Sequence, residues 1–321
     1  MAQGPSHPEE SEPSPSDPGT SPIRRFRDPD TIIDRLVVPA ALFVLAWLVY
    51  AWINNGRPSN LDYFVPLADA FLHGRVGLTE APSYLNELVP AGNGLFYVVY
   101  PPAPAVLLLP IVAIVGPSFE QAWASILLGA ANVAIASIVI RWMGVARWPR
   151  VVLSLVFGFG TIVWYSAQAG SSWHFAHVVA TCFMLLAINA CQRDARPGLV
   201  GLLFGIAVLA RLPLLLAAPF FGAYVIDRSM RERSGDWTPF GSLLGRPPLV
   251  WRTRIDLPSL FDHGRLVVVG TAIPILAYLV YDQVRFGSPL ENGYSLIPGL
   301  LQEDQYRNGF FSVVNIPRKL Y

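Results

Sequence analysis

The chain has 321 residues, 53% hydrophobic and 14% charged, with a formal net charge of +1 and a mean hydropathy of +0.44. Soluble globular domains carry about 25% charged residues, so a water-soluble fold is close to excluded. Lys319 is the single lysine among 23 basic residues, and with neither a basic tract nor a strong net charge no nucleic-acid partner is expected.

Residues 1–30 hold seven prolines among Ser, Glu and Asp, a composition that cannot bury enough apolar surface to offset ordering entropy. Residues 1–34 are therefore read as a disordered cytoplasmic tail. Arg24, Arg25, Arg27 and Arg35 flank the first apolar run, 36–53, which makes it a signal anchor with a cytoplasmic N-terminus rather than a cleaved leader. Uncharged runs of about 20 residues or more, the length that spans a membrane, recur at 121–140, 151–192, 197–226 and 266–281. As one helix, 151–192 would extend roughly 60 Å, twice the hydrocarbon thickness, so it must fold back, and Ser166, Gln168, Gly170, Ser171 and Ser172 form the natural turn.

Residues 99–116 are apolar but contain Pro101, Pro102, Pro104 and Pro110, as expected of a broken span or a re-entrant element. If this segment is re-entrant and 197–226 splits near Arg211, Leu212 and Pro213, sixteen arginines fall on the cytoplasmic side and six basic residues outside, in keeping with the positive-inside rule. The predicted fold is an all-α, polytopic membrane domain over 35–321, with about seven or eight transmembrane or re-entrant helices. Loop 54–98 and tail 285–321 lie outside the cell membrane, and loop 228–265 lies inside. Cys182 and Cys191 are roughly 13 Å apart on one helix, too far for a disulfide. CxxC, HExxH and P-loop patterns are absent, and no metal site is assigned.

The long outer loop is where chemistry is expected. Phe64, Leu67, Ala68, Phe71 and Leu72 recur with helical spacing, predicting a juxtamembrane amphipathic helix whose aromatic side rests in the headgroup region. Asp62, Pro66, Asp69 and His73 take the other face. Asp62 then stands at the helix N-terminus, either as a base or cation ligand or simply as an N-cap. Glu80 and Glu87 follow in the same loop, where paired acids can divide acid and base roles. Arg211 is the only charge in 197–226 and is read as the lone buried charge. Its planar fork suits a phosphate; the alternatives are an arginine snorkelling to the interface or sealing the break at Pro213. His174 and His177 are one turn apart, but a third metal ligand is not evident. Glu291, Asn292, Gly293 and Tyr294, with Glu303, Asp304 and Tyr306, have the character of a sugar-contacting loop or of an ordinary surface loop.

The run Leu61-Asp62-Tyr63-Phe64-Val65-Pro66-Leu67-Ala68-Asp69-Ala70-Phe71-Leu72-His73-Gly74-Arg75, followed by Tyr97-Val98-Val99-Tyr100-Pro101-Pro102-Ala103-Pro104, resembles the first outer loop of GT-C integral-membrane glycosyltransferases. It is most similar to the family 39-like group, relatives of protein mannosyltransferases and aminoarabinose transferase. Trp173-His174-Phe175-Ala176-His177, the segment from Gly205 to Pro213, and Phe286-Gly287-Ser288-Pro289-Leu290-Glu291-Asn292-Gly293-Tyr294 resemble that group too. The resemblance implies a polyprenyl-phosphate sugar donor, transfer on the extracytoplasmic face, and a plasma-membrane location. It implies Asp62 as the catalytic acid residue and Glu87 as a second one; with them, Arg211 is taken as the donor-phosphate ligand for the reasons above, and Asp69, His174, Glu291 and Tyr294 as possible substrate contacts.

The chain departs from the group's paired acids, because no acid adjoins Asp62. The sugar, the acceptor and any need for a divalent cation are left open. Relatives continue into further spans beyond a point like Tyr321, so a truncated remnant or non-catalytic subunit is one alternative reading. A transporter is another, although no internal repeat supports it.

Overall fold

The computed structural model describes residues 31–59, 61–230 and 255–303. The expected tail up to residue 30, most of the basic loop, and Asp304 and Tyr306 lie outside the described residues. Four described helices are long and apolar enough to cross a membrane, an architecture that fits an all-α membrane protein. They are α1 (Val38–Asn54, entered through a π-helical turn at Ile33–Val37), α4 (Gln121–Trp142), α7 (Ser172–Gln192) and α10 (Leu257–Phe286). Between α4 and α7, the pair α5 (Arg147–Phe159) and α6 (Ile162–Ala169) is bent by 53°. Thr161 caps α6 by accepting the Val163 N–H.

The long apolar run turns where its polar residues predict. Gly170 has a φ of +62°, and a Cβ there would lie 2.5 Å from the Ala122 backbone, so only glycine fits this tight α6–α7 corner. The break after α8 (Pro197–Ala210) is also where expected. Arg211 is extended, Pro213 cannot continue an α-helix, and a 3₁₀ segment, Leu212–Ala217, leads into α9 (Ala218–Arg228). Helices α8 and α10 approach closely through small residues: a Cβ at Gly201 would meet the Val267 carbonyl at 2.1 Å, and one at Gly270 would meet the Gly198 carbonyl at 2.1 Å. The Thr271 hydroxyl donates to the Gly201 carbonyl at 3.1 Å across this seam, a packing mode suited to helices in lipid.

Hydrogen bonds identify two ends of the bundle. At the first, the Asn54 amide donates to the Gln168 carbonyl, the Gln121 amide to the Gly170 carbonyl, and Arg285 to the Val98 carbonyl. Helix α3 (Ala103–Val115) both leaves and returns at this end: Tyr100, before it, contacts Trp173 in the first turn of α7, and Gln121, after it, contacts Gly170 in the turn between α6 and α7. At the opposite end Asp34, buried, is bound by Arg147 and Arg150 at 2.8 and 2.7 Å.

Three expectations are corrected. Ordered structure reaches back to Thr31, and Asp34 belongs to the bundle rather than to a tail, because its two arginine partners anchor it. Helix α10 begins at Leu257, ahead of the apolar run, since its first turns are polar and escape a hydropathy reading. Helix α2 (Phe64–Leu72) forms as predicted, but Phe64, Leu67 and Ala68 are fully buried. Phe64 packs edge-on against Phe175 of α7, and Phe71 against Tyr281 of α10. Its apolar face therefore belongs to the protein core instead of the headgroups, because neighbouring helices supply a better-packed surface.

Candidate active site

The site is assembled around the start of α7. The Ser172 N–H donates to the Leu61 carbonyl, and the Tyr63 N–H donates to the Ser172 hydroxyl, both at 2.9 Å. These bonds fasten the segment carrying Asp62 to the bundle. Asp62 stands one residue before Tyr63, the N-cap of α2, and its carboxylate accepts the Val65 N–H at 3.0 Å.

Asp62 also lines a cleft of about 420 Å³ with Ser59, Pro66, Tyr84, Phe119 and Glu120. Loss of solvent is the main force on it and pushes its pKa up to about 7; the charge of Glu120 adds to this, while backbone N–H groups of Val65, Phe64 and Gln121 oppose it. Glu120 stands at the N-cap position of α4 yet makes no capping hydrogen bond.

Glu87 lies just before β1 (Leu88–Pro90), which pairs antiparallel with β2 (Phe96–Val98). The hairpin delivers Tyr100, whose hydroxyl donates to Glu87. Trp173 of α7 donates its indole N–H to the Tyr100 hydroxyl and, at 3.3 Å, to Glu87. Tyr63 packs edge-on to Tyr100 at 5.1 Å and accepts the Glu87 N–H. Burial first, and then the charge of Glu87, raises the pKa of both tyrosines, which keeps them neutral donors.

The Trp173 carbonyl faces the other way and accepts from Arg211 at 2.5 Å. The Nε of Arg211 is buried without a hydrogen-bond partner among the described residues. The same side chain borders a second cavity of about 260 Å³, with His177 and Thr181 on its polar edge and Met184, Leu185 and Leu214 on its apolar wall.

Glu87 and Arg211 are thus joined through one residue, Trp173. Tyr294 adjoins this group, edge-on to Tyr100 at 6.3 Å. His174 is paired with the Ser171 hydroxyl at 2.6 Å and packs on Tyr165, so it supports the helix start. Asp69 is paired with His73 and Arg75 at 3.6 and 3.8 Å. Glu291 accepts from the Gly293 N–H and the Ser295 hydroxyl, closing its own turn. The structure does not bring Asp62 into the Arg211 cavity; the two residues line separate cavities. Among the described residues, no three His, Cys, Asp or Glu side chains group to hold a metal.

Arg211 is not the lone buried charge, for Asp34, Arg150, Asp227, Asp282 and Arg285 are all buried. Arg150 pairs with Asp34, and Arg285 with Asp282 at 2.5 Å; such pairs make burial tolerable. Sequence reasoning missed Glu120. Its only signal was an acid following the Gly116-Pro117-Ser118 turn, immediately before a helix. Comparisons with family models, curated proteins and solved structures returned no match to this chain.

Proposed function

We propose that this chain is a membrane glycosyltransferase that moves a sugar from a polyprenyl-phosphate donor to an acceptor on the extracytoplasmic face. The observation that carries this reading is the Arg211 cavity. It combines an arginine fork held by the Trp173 carbonyl, an unpartnered buried Nε, and an apolar wall, which are the needs of a phosphate attached to a hydrocarbon tail. The resemblance of the 61–75 and 97–104 runs to GT-C enzymes supports it from the sequence side. The end of the bundle carrying Asp62 faces outward in this reading. The sequence count of sixteen arginines in the segments expected inside, against six basic residues in those expected outside, supports that orientation.

In the reaction, the acceptor oxygen or nitrogen bonds to the anomeric carbon as the carbon–oxygen bond to phosphate breaks. The electron pair stays on the leaving phosphate, opposite Arg211; the step requires the sugar held from the Arg211 cavity to meet an acceptor held in the separate Asp62 cleft, where the acceptor proton passes to Asp62. Glu87, fixed by Tyr100 and Trp173, is the second acid, on the Arg211 side. Membranes containing the chain should transfer labelled sugar from a prenyl-phosphate donor. Arg211→Gln, inserted at wild-type levels, should abolish transfer; undiminished turnover would rule out the phosphate role.

A further inference from the structure

Two histidines stand one turn apart near the outer end of α7, and their surroundings differ. His174 is tied to the Ser171 hydroxyl at 2.6 Å. His177 makes no hydrogen bond among the described residues, is exposed on the helix surface, and lines the Arg211 cavity. Thr181, one turn further along α7, lies on the same wall, and Met184 and Leu185 follow it. An ionisable side chain on the apolar flank of a membrane helix is costly, and its use by a ligand is the default explanation.

The charges that act on His177 come from two elements: His174 on α7 and Arg211 at the end of α8. The 3₁₀ segment contributes only Pro213 and Leu214 to the cavity, and no carboxylate lines it. Tyr100 of the hairpin and Tyr294 of the tail are within electrostatic reach of Arg211. The cavity therefore offers one permanent positive charge, on Arg211, and one that depends on a proton, on His177. A sugar ester of a prenyl phosphate is a diester with a single negative charge, which Arg211 matches. Transfer converts it to a monoester, whose second ionisation falls at about pH 6, so a second negative charge develops during the reaction.

We propose that His177 is a catalytic residue that receives this second charge: the cavity holds the diester with Arg211 and a neutral His177, and the monoester with Arg211 and a protonated His177. As the bond between the anomeric carbon and the phosphate oxygen breaks, its electron pair stays on that oxygen. The imidazole, hydrogen-bonded to the phosphate through its N–H, takes one proton from water at the outer interface. A contact that is stronger to the developing dianion than to the donor accelerates transfer. The inference rests on the proposed role of Arg211, but it turns on a difference between two phosphate charge states, so the two readings fail separately.

The probes are farnesyl phosphate, a monoester, and farnesyl methyl phosphate, a diester, titrated into the full chain in detergent micelles at pH 7 and pH 9. The preference of wild type for the monoester should be roughly tenfold greater at pH 7, the scale of one charge-assisted hydrogen bond. His177→Gln keeps an N–H donor but takes up no proton. Its preference should be the same at both pH values and equal to that of wild type at pH 9, with diester affinity within about twofold of wild type. His174→Gln, outside the cavity, should respond to pH as wild type does. Inorganic phosphate should bind at least about tenfold more weakly than farnesyl phosphate, because it leaves the apolar wall unused. A wild-type preference that ignores pH, a pH response that survives in His177→Gln, or loss of diester binding in that variant overturns the inference and leaves the Arg211 reading standing. Failure of both lipids to bind wild type, or inorganic phosphate binding as tightly as farnesyl phosphate, overturns both. Far-UV circular dichroism of each variant reports that α7 is intact.

Discussion

The two ends of the bundle each enclose an aspartate, in opposite company. Asp34 is buried against Arg147 and Arg150, with three guanidinium contacts between 2.7 and 2.9 Å. Asp62 lines a cleft with the exposed Glu120, and no basic side chain lines it. The first arrangement satisfies its charges and holds α1 to α5. The second leaves charge unsatisfied, which destabilises the fold locally but leaves a proton available for chemistry. The same residue type thus serves architecture at one end and reactivity at the other, and the partners decide which.

The sharpest way to break this contrast is at the paired end. Asp34→Ala leaves Arg150 buried at 2% exposure without its counter-charge, so it should cost about 3–5 kcal/mol of stability. Reversible unfolding in mixed micelles checks this. A loss below about 1 kcal/mol, the level of an exposed pair, would mean that the cluster is not an anchor. The same experiment on Asp62→Asn should show no such loss. There the large effect is on activity: loss of a general base should slow sugar transfer at least about 100-fold, measured with a prenyl-phosphate donor at unchanged protein levels.

Much of the frame behind this contrast can be read from the sequence. Run length separates the spans, Pro213 breaks 197–226, the polar stretch around Gly170 turns the long run, and the spacing of Phe64, Leu67 and Phe71 marks α2. These are local signals, carried by neighbours within a few residues. The electrostatic partners are not local. Arg147 and Arg150 lie 113 and 116 residues from Asp34, and Glu120 comes to line the Asp62 cleft from beyond the outer loop and α3. A hydropathy profile counts Asp34 with the polar tail because Arg35 adjoins it, and counts Glu120 as an ordinary loop acid. For the same reason the profile left Arg211 looking solitary among several buried charges. Helix spacing and the family resemblance pointed to Asp62 and Glu87, and charge placement to Arg211, but none of these signals could show that Trp173 joins the second to the third while Asp62 occupies its own cleft.

Trp173 offers a finer cut within the reactive end. Trp173→Phe removes the indole N–H from Glu87 and Tyr100 and keeps the backbone carbonyl that holds Arg211. One lost hydrogen bond at that level, about 1.5 kcal/mol, corresponds to a turnover reduced by roughly tenfold. Affinity for a prenyl phosphate should stay within about twofold, because the Arg211 anchor is a main-chain group unaffected by the substitution. If affinity falls with turnover, the indole and the arginine act as one unit instead of two.

The smallest effect separates the aspartates by pH. The folded pKa of Asp62 is raised from 3.8 to about 7, so the folded state binds its proton more tightly than the unfolded chain does. Stability from this group is therefore complete below about pH 4 and declines as pH rises toward 7, where the carboxyl must ionise in place. Asp62→Asn removes that decline. With allowance for the residual contact of Asp62 with water, the variant should gain about 1 kcal/mol over wild type at pH 8 and nothing at pH 3.5. Thermal midpoints of the two proteins, measured in the same detergent across this range, should converge in acid and diverge above neutrality. Midpoints that run parallel would mean that Asp62 ionises freely. Its cleft would then be solvated as an ordinary loop is, and the contrast between the two ends would reduce to burial alone.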